Sequence, residues 1–499
     1  MKSSLATALL AASLVSPLAM AEETNTPPNI IYILADDLGY GDVQVLNPER
    51  GKIATPHMDK LAAEGMIFTD AHSSSSVCTP TRYGIITGRY NWRSKMQAGV
   101  LSGFSKPLID SERLTVAGFL KEQGYSTACI GKWHIGMNLP SADGKPIVGK
   151  SAKNVDWKGT ITGGPVDLGF DYYYGIAASL DMPPYIWIEN DHFVGECTVE
   201  KEPHPQRKGP AHVDFEVIDV LPETGNKTVE YINEHKDKGP FFAYVAFTAP
   251  HTPTVPGKEW QGKSGITPYA DFVMHTDAVI GQIADAVDAA GIADNTMIIV
   301  TSDNGCSKAA PITDLIAKGH YPSAQFRGSK SDLWDGGHRV PFLVRWPAGI
   351  KAGSISHETI CLTDLMATCA DLTGAKLPDT AGEDSVSFLP ALGGKPIESA
   401  RKGVIHHSIG GKFAYREGKW KLLLASDSGG WTKEKMPKGT VAQLYDMEAD
   451  PGETTNLYDS NPEVVERLMK QLESDVARGR STAGVDQKND AVVKILKGK

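Results

Sequence analysis

Four runs of mainly apolar residues along the chain break off abruptly at polar ones. Residues 30–35 are wholly apolar and stop at Asp36 and Asp37; residues 125–130 lead into Gly131-Lys132-Trp133-His134. Residues 241–247 lead into Ala249-Pro250-His251, and residues 297–300 into Thr301-Ser302-Asp303-Asn304-Gly305. Runs of this length without polar alternation predict strands buried on both faces. Segments 58–65, 114–123, 224–235 and 270–290 have the composition and spacing of helices. Strands alternating with helices predict an α/β fold, a mainly parallel sheet flanked by helices. In open sheets of this kind ligands bind beyond the carboxyl ends of the strands. Four such exits here carry Asp, Lys, His and Asn, the side chains that metal and anion chemistry requires.

The texture changes after about residue 395. Residues 413–423 read as two short antiparallel strands around a turn, 443–447 as a further strand, and 461–476 as an amphipathic helix. These predict a smaller C-terminal α+β subdomain, residues 396–499, packed on a catalytic domain of residues 22–395. The first 21 residues have a different pattern. Lys2, a mostly apolar stretch over 5–18, and Ala19-Met20-Ala21 have the form of a cleaved signal peptide. The stretch is too short for a membrane span, so the reading is a secreted or periplasmic protein.

Charge narrows the function classes. The chain has 50 Lys and Arg against 60 Asp and Glu, a net charge of -10. Such a surface favours neither nucleic acid nor an anionic membrane. Any anion site must therefore be a local cationic pocket. Six cysteines, at 78, 129, 197, 306, 361 and 369, are too few and too scattered for a disulfide scaffold and lack zinc spacing. A Cys361–Cys369 bridge is allowed in an oxidising compartment but is not the favoured reading.

Cys78 stands out by its surroundings. A polar run, Ser73–Ser76, precedes it, Pro80 marks a helix start, and Arg82 lies about one helical turn on. A helix N-terminus offers free N–H groups to an anion beside the Cys78 side chain. Asp36, Asp37, Asp303 and Asn304 form an all-oxygen set, which suits a hard cation and not zinc or copper.

The segment Cys78-Thr79-Pro80-Thr81-Arg82, continuing to Gly88-Arg89, resembles the signature of the type I, formylglycine-dependent sulfatases of the alkaline phosphatase superfamily. Asp36-Asp37, Gly131-Lys132-Trp133-His134, Pro250-His251, Ser302-Asp303-Asn304-Gly305 and Arg327-Gly328-Ser329-Lys330 resemble further family motifs in family order, as does the tail 444–457. The resemblance implies an alkaline-phosphatase-like fold and sulfate-ester hydrolysis. It further implies that a maturase converts Cys78 to formylglycine, and that one Ca2+ is held by Asp36, Asp37, Asp303, Asn304 and the modified Cys78. A hydrated aldehyde has two hydroxyls: one attacks sulfur to give a sulfo-enzyme, and the other expels sulfate by collapse to the aldehyde. On the same analogy Lys132, Lys330 and Arg82 bind sulfate oxygens, His251 protonates the departing sugar oxygen, and His134 takes the proton that releases sulfate. The two histidine roles can be interchanged, and Lys330 can share the acid role.

The segment 179–192 resembles parts of bacterial sulfatases acting on sulfated galactans and glycosaminoglycans, and makes Asp181, Asn190 and His192 candidate sugar contacts. The expected substrate is a sulfated oligo- or polysaccharide. Two alternatives are a phosphonate monoester or phosphodiester hydrolase of the same superfamily, and a catalytically silent protein that binds sulfated glycans. Trp133 and Trp334 read as packing residues, Asp335 as a framework residue where the family usually has Glu, and the charges of 463–480 as a solvated helix face.

Overall fold

The computed structural model describes residues 27–147, 153–398 and 401–496. The segment read as a signal peptide, 1–21, lies outside the described residues. Ten strands form one sheet: β1 (Asn29–Asp36), β2 (Met66–Phe68), β3 (Ser126–Lys132), β4 (Tyr172–Ile176), β5 (Ile188–Glu189), β6 (His192–Phe193), β7 (Phe241–Pro250), β8 (Thr296–Ser302), β9 (Phe342–Arg345) and β10 (Ser354–Ser356). Their spatial order is β10-β2-β9-β8-β1-β7-β3-β4-β5-β6. The central five, β8-β1-β7-β3-β4, are all parallel. Antiparallel pairing occurs only toward the two flanks, at β8–β9, β9–β2, β4–β5 and β5–β6.

The absence of polar alternation in the central strands has a direct cause. Ile30, Tyr32 and Leu34 of β1 enter one core, and Ile31, Ile33 and Ala35 enter the other. Phe242, Tyr244 and Ala246 of β7 divide from Phe241, Ala243, Val245 and Phe247 in the same way. Helices α1 (Pro56–Glu64), α2 (Cys78–Thr87), α3 (Val116–Glu122), α4 (Val220–His235), α5 (Pro268–Ala289) and α6 (Leu365–Thr373) supply the covering layers. Ile85, Phe119 and Leu365 close one face; Met58, Ile232 and Ile280 close the other. Helix α4 begins four residues earlier than the sequence pattern suggests. Pro222 falls in its first turn, where no intrahelical N–H is required.

A second, four-stranded antiparallel sheet runs in chain order through β11 (Val404–His407), β12 (Phe413–Glu417), β13 (Trp420–Leu423) and β14 (Gln443–Asp446). The turn between β12 and β13 places Gly418 at φ 55°, a left-handed conformation suited to glycine. Helix α7 (Pro462–Ala477) packs Leu468, Leu472 and Val476 on this sheet together with Tyr90 and Trp92 from the other side of the junction. Glu463, Glu466, Arg467, Lys470 and Glu473 face outward, whereas Asp475, read with them as part of a solvated face, is buried, as is Arg480 just beyond the helix. Trp133 and Trp334 are fully buried packing residues. The six cysteines are free, Cys361 and Cys369 included. Among the described residues no helix is long and apolar enough to cross a membrane.

Buried charge joins the two sheets. Lys421 of β13 places Nζ 2.6 Å from Asp335 and 2.8 Å from Glu453, with all three side chains fully buried. Arg339 also binds Asp335, at 2.8 Å. Removing one partner of such a set leaves an uncompensated buried charge. Lys421→Ala is therefore expected to lower unfolding free energy by about 3–5 kcal/mol, measured by denaturant titration. A change within experimental error would show that the network does not hold the junction.

Candidate active site

The polar residues at the strand exits meet in one place. Strand register sets Ala35 beside Ser302 and Asp36 beside Pro250. The residues that follow therefore converge beyond adjacent strands β8, β1, β7 and β3. Asp37 turns out of β1 at φ 67°, and its N–H donates to Asp303 Oδ1 at 3.2 Å. Asn304 Nδ2 donates to Asp37 Oδ1 at 2.7 Å. Asp36, Asp37, Asp303 and Asn304 are thus assembled, all essentially without solvent exposure.

Cations from three other segments face these carboxylates. Lys132, the last residue of β3, lies 2.6 Å from Asp36 Oδ2. Lys330 lies 2.5 Å from Asp37 Oδ1. Burial alone would raise Asp36; Lys132, His251, Arg82 and Lys330 outweigh it and hold the carboxyl well below its ordinary range. Asp303 is instead pushed up to about 6, first by burial and then by the neighbouring Asp36.

The oxygen set fits a hard cation on a specific observation. Asp36 Oδ1 and Asn304 Oδ1 are buried acceptors with no hydrogen-bond partner among the described residues. An acceptor-only, crowded oxygen cluster is the donor set that calcium takes. Ligating atoms of Asp36, Asp37 and His251 also lie within 4.8 Å of one another.

Cys78 opens α2, preceded by extended Val77. The serine run before it is tied down: Ser75 Oγ donates to the His407 carbonyl at 2.7 Å, and Ser331 N–H donates to the Ser76 carbonyl at 2.7 Å. Burial pushes the Cys78 thiol up, while the charges of Lys132 and Lys330 pull it down. Both lysines therefore act directly on the residue at position 78.

Arg82 is engaged by Asp303 and by the end of β3. Its Nε and one terminal nitrogen donate to Asp303 Oδ2 at 3.1 and 2.9 Å, and the other terminal nitrogen donates to the Lys132 carbonyl at 3.1 Å. With each guanidinium nitrogen engaged and the side chain fully buried, Arg82 clamps Asp303 to the end of β3.

The histidines have distinct environments. His134, at φ 57°, is fully buried; Nε2 lies 2.8 Å from the Leu101 carbonyl, and Nδ1 has no partner among the described residues. A carbonyl can only accept, so Nε2 carries the proton and Nδ1 is left as a bare base. Burial, then Lys132, holds His134 well below the usual histidine range. His251 is the more open of the two, with 11% side-chain exposure. Its Nδ1 is 2.6 Å from the Thr252 carbonyl and 3.3 Å from Ser179 Oγ, and its Nε2 is 3.7 Å from Asp37 Oδ2.

The three candidate sugar contacts separate. Asp181 follows Ser179 closely, is buried, and lies 3.4 Å from Arg207 Nε. Asn190 occupies the β5–β6 turn at φ 54°, where its Oδ1 accepts the Tyr173 N–H at 3.1 Å. His192 pairs with Asp191 at 2.7 Å on the surface. The hairpin pairs Ile188 with Gly175 and Glu189 with Tyr174, so its tip at Asn190 points back toward the start of β4, away from the carboxyl end at Ile176. Asn190 and His192 are therefore not brought to the cluster. Ser179, beyond the β4 exit and 3.3 Å from His251 Nδ1, is the residue at the cluster that sequence reading did not single out. The aromatic run Tyr172-Tyr173-Tyr174 is the β-strand signal that could have located that fifth exit.

Comparison with known proteins agrees with this arrangement. A sulfatase family profile matches residues 28–375. A second, for the N-sulphoglucosamine sulphohydrolase C-terminal region, matches 329–481. An N-acetylgalactosamine-6-O-sulfatase of Bacteroides thetaiotaomicron is 34% identical, covering 91% of this chain and 94% of its own. Human arylsulfatase A is 30% identical over 94% of each chain. A solved Bacteroides thetaiotaomicron structure, described with the metabolism of multiple glycosaminoglycans, superimposes with TM-score 0.79 at 32% identity, covering 90% of this chain and 99% of that one.

Proposed function

The chain belongs to the sulfatase family and is a sulfuric ester hydrolase, and from that premise we propose that it desulfates a sulfated carbohydrate of the galactan or glycosaminoglycan type through Cys78 converted to formylglycine. The observation that carries the reading is the juxtaposition beyond the carboxyl ends of the central strands: a first-turn Cys78, an acceptor-only oxygen set, and the Lys132 and Lys330 ammonium groups. When installed by a maturase, formylglycine supplies as its hydrate a hydroxyl nucleophile and a second hydroxyl for product release. A bound Ca2+, held by Asp36, Asp37, Asp303 and Asn304 with the modified residue 78, supplies charge that offsets the sulfate and orients its oxygens. Lys132 and Lys330 bind the anion and oppose charge growing on the breaking S–O bond. Arg82 holds Asp303 in place. His134 Nδ1 accepts the proton that frees sulfate, and His251, open to the ester, donates one to the leaving oxygen. The pattern of residues 1–21 supports export to the periplasm or beyond, and the start of β11 supports a subdomain boundary near residue 395.

His251 gives the most discriminating test of these roles. A sugar alkoxide is a poor leaving group and needs a proton in the transition state, whereas nitrophenolate leaves without one. General acid catalysis contributes about a hundredfold to ten-thousandfold. His251→Ala is expected to slow sulfated-sugar hydrolysis by that order while affecting nitrophenyl sulfate far less. His134→Ala is expected to slow both alike. Equal loss on both substrates in His251→Ala transfers the acid role to Lys330. Measuring a phosphodiester in parallel distinguishes the phosphonate- or phosphodiesterase alternative.

A further inference from the structure

Trp431 is among the few large apolar side chains left exposed, at 37%, and its backbone is fastened to the active-site loop. Its N–H donates to Ser331 Oγ at 2.8 Å, next to Lys330. Thr432 N–H donates to Asp332 Oδ1 at 3.1 Å, and Glu434 binds Arg327 at 2.6 Å. Met436 packs beside Leu333 and Trp334. Gly430 approaches the Ser331 carbonyl so closely that a Cβ there would lie 2.3 Å from the oxygen. The alternate residues Thr432, Glu434 and Met436 thus anchor the segment, and Trp431, Lys433 and Lys435 are left exposed.

A second segment reaches the Trp431 ring from the loop that follows Asn304. Lys308 follows Asn304 by four residues and places Nζ 5.2 Å from the Trp431 ring centre. The loop bearing it is joined to Lys330, whose N–H donates to the Cys306 carbonyl at 2.9 Å. Lys308, Lys433 and Lys435 make no ion pair among the described residues, and the one acid among the anchors, Glu434, is engaged by Arg327. On a chain of net charge -10, an indole flanked by three uncompensated lysines is a local reversal of sign.

We propose that Trp431, with Lys308, Lys433 and Lys435, forms a subsite for the sugar adjacent to the one being desulfated, in an anionic sugar chain. This rests on the sulfatase reading of the active site and extends it from a single residue to a chain. The indole offers an apolar platform for the C–H face of a pyranose ring. The lysines meet sulfate or carboxylate groups carried by the same or the next residue. A chain engaged here gains affinity that a monosaccharide sulfate or a nitrophenyl sulfate cannot.

The test compares kcat/KM on nitrophenyl sulfate, N-acetylgalactosamine 6-sulfate, and size-fractionated chondroitin 6-sulfate and carrageenan oligosaccharides, with equilibrium binding of the same oligosaccharides to the intact enzyme. Wild type is expected to favour the chain over the single sugar by about tenfold or more. Trp431→Ala and the triple variant Lys308→Ala/Lys433→Ala/Lys435→Ala are expected to remove that preference and leave the small substrates within about twofold. Trp431→Phe is expected to retain most of it, which separates a lost platform from a disturbed fold. High salt is expected to weaken the preference in wild type and not in the triple variant. The subsite is overturned if wild type turns over small sulfates with no gain for chains, or if the gain survives both variants. Failure of the sulfatase reading has a different signature, no sulfate released from any substrate. In that case the binding measurements still decide whether Trp431 and the lysines hold an anionic chain.

Discussion

Replacing Cys78 with alanine is expected to abolish sulfate release, with a loss on the order of 10^5-fold or more, as when a covalent nucleophile is deleted. The size of the effect follows from the surroundings that remain. Lys132, Lys330 and the oxygen cluster can still bind an anion, but no group is left at the head of α2 to attack it. Cys78 is buried, so alanine removes one sulfur atom from a helix start whose neighbours Thr79, Thr81 and the serine run are themselves buried, and the fold is expected to persist. The unmodified thiol is expected to be almost as poor as alanine. Burial opposes its ionisation, and a thiol that attacked sulfur would keep the sulfate, having no second hydroxyl with which to expel it. Sulfate release measured by ion chromatography, with circular dichroism to confirm folding, checks both statements.

Metal removal is the second large effect. Exhaustive chelation is expected to eliminate activity, and calcium is expected to restore it better than zinc, since the set contains only oxygen donors. A readout independent of turnover exists in stability. A cation that binds only the folded state adds about 2.7 kcal/mol at a hundred times its dissociation constant, so calcium is expected to raise the unfolding midpoint of chelated protein. Asp303→Asn is expected to shift that calcium dependence to higher concentration, by about tenfold to a hundredfold, while leaving most of the fold intact. It removes one charge from a crowded cluster but also deprives buried Arg82 of its carboxylate partner. Full activity of metal-free enzyme contradicts the assignment.

How far the sequence was legible depended on the element. The central parallel strands were readable because each is buried on both faces, which forces continuous apolar runs; Asp36, Lys132, His251 and Asp303 follow directly from where those runs stop. The short strands β2, β9 and β10 were not, because three or four residues carry too little periodicity. β11 ends in His406 and His407, which read as polar although both are fully buried at the junction. Arg82 was placed correctly one turn from Cys78, but its partners, Asp303 and the Lys132 carbonyl, lie 221 and 50 residues away in the chain, which no local pattern encodes. Asn190 and His192 looked like ligand residues because they are polar beside aromatics. Asn190 is there because a left-handed turn favours asparagine, and the turn it forms points toward the start of β4.

The central claim is that sulfate release runs through an aldehyde formed at position 78. It is tested most directly by preparing the enzyme at graded levels of maturation and plotting sulfate release against the fraction of peptides carrying formylglycine, determined by mass spectrometry. Activity proportional to that fraction, with none at zero, is the expected result. Full activity in protein whose residue 78 is entirely unmodified cysteine contradicts the mechanism.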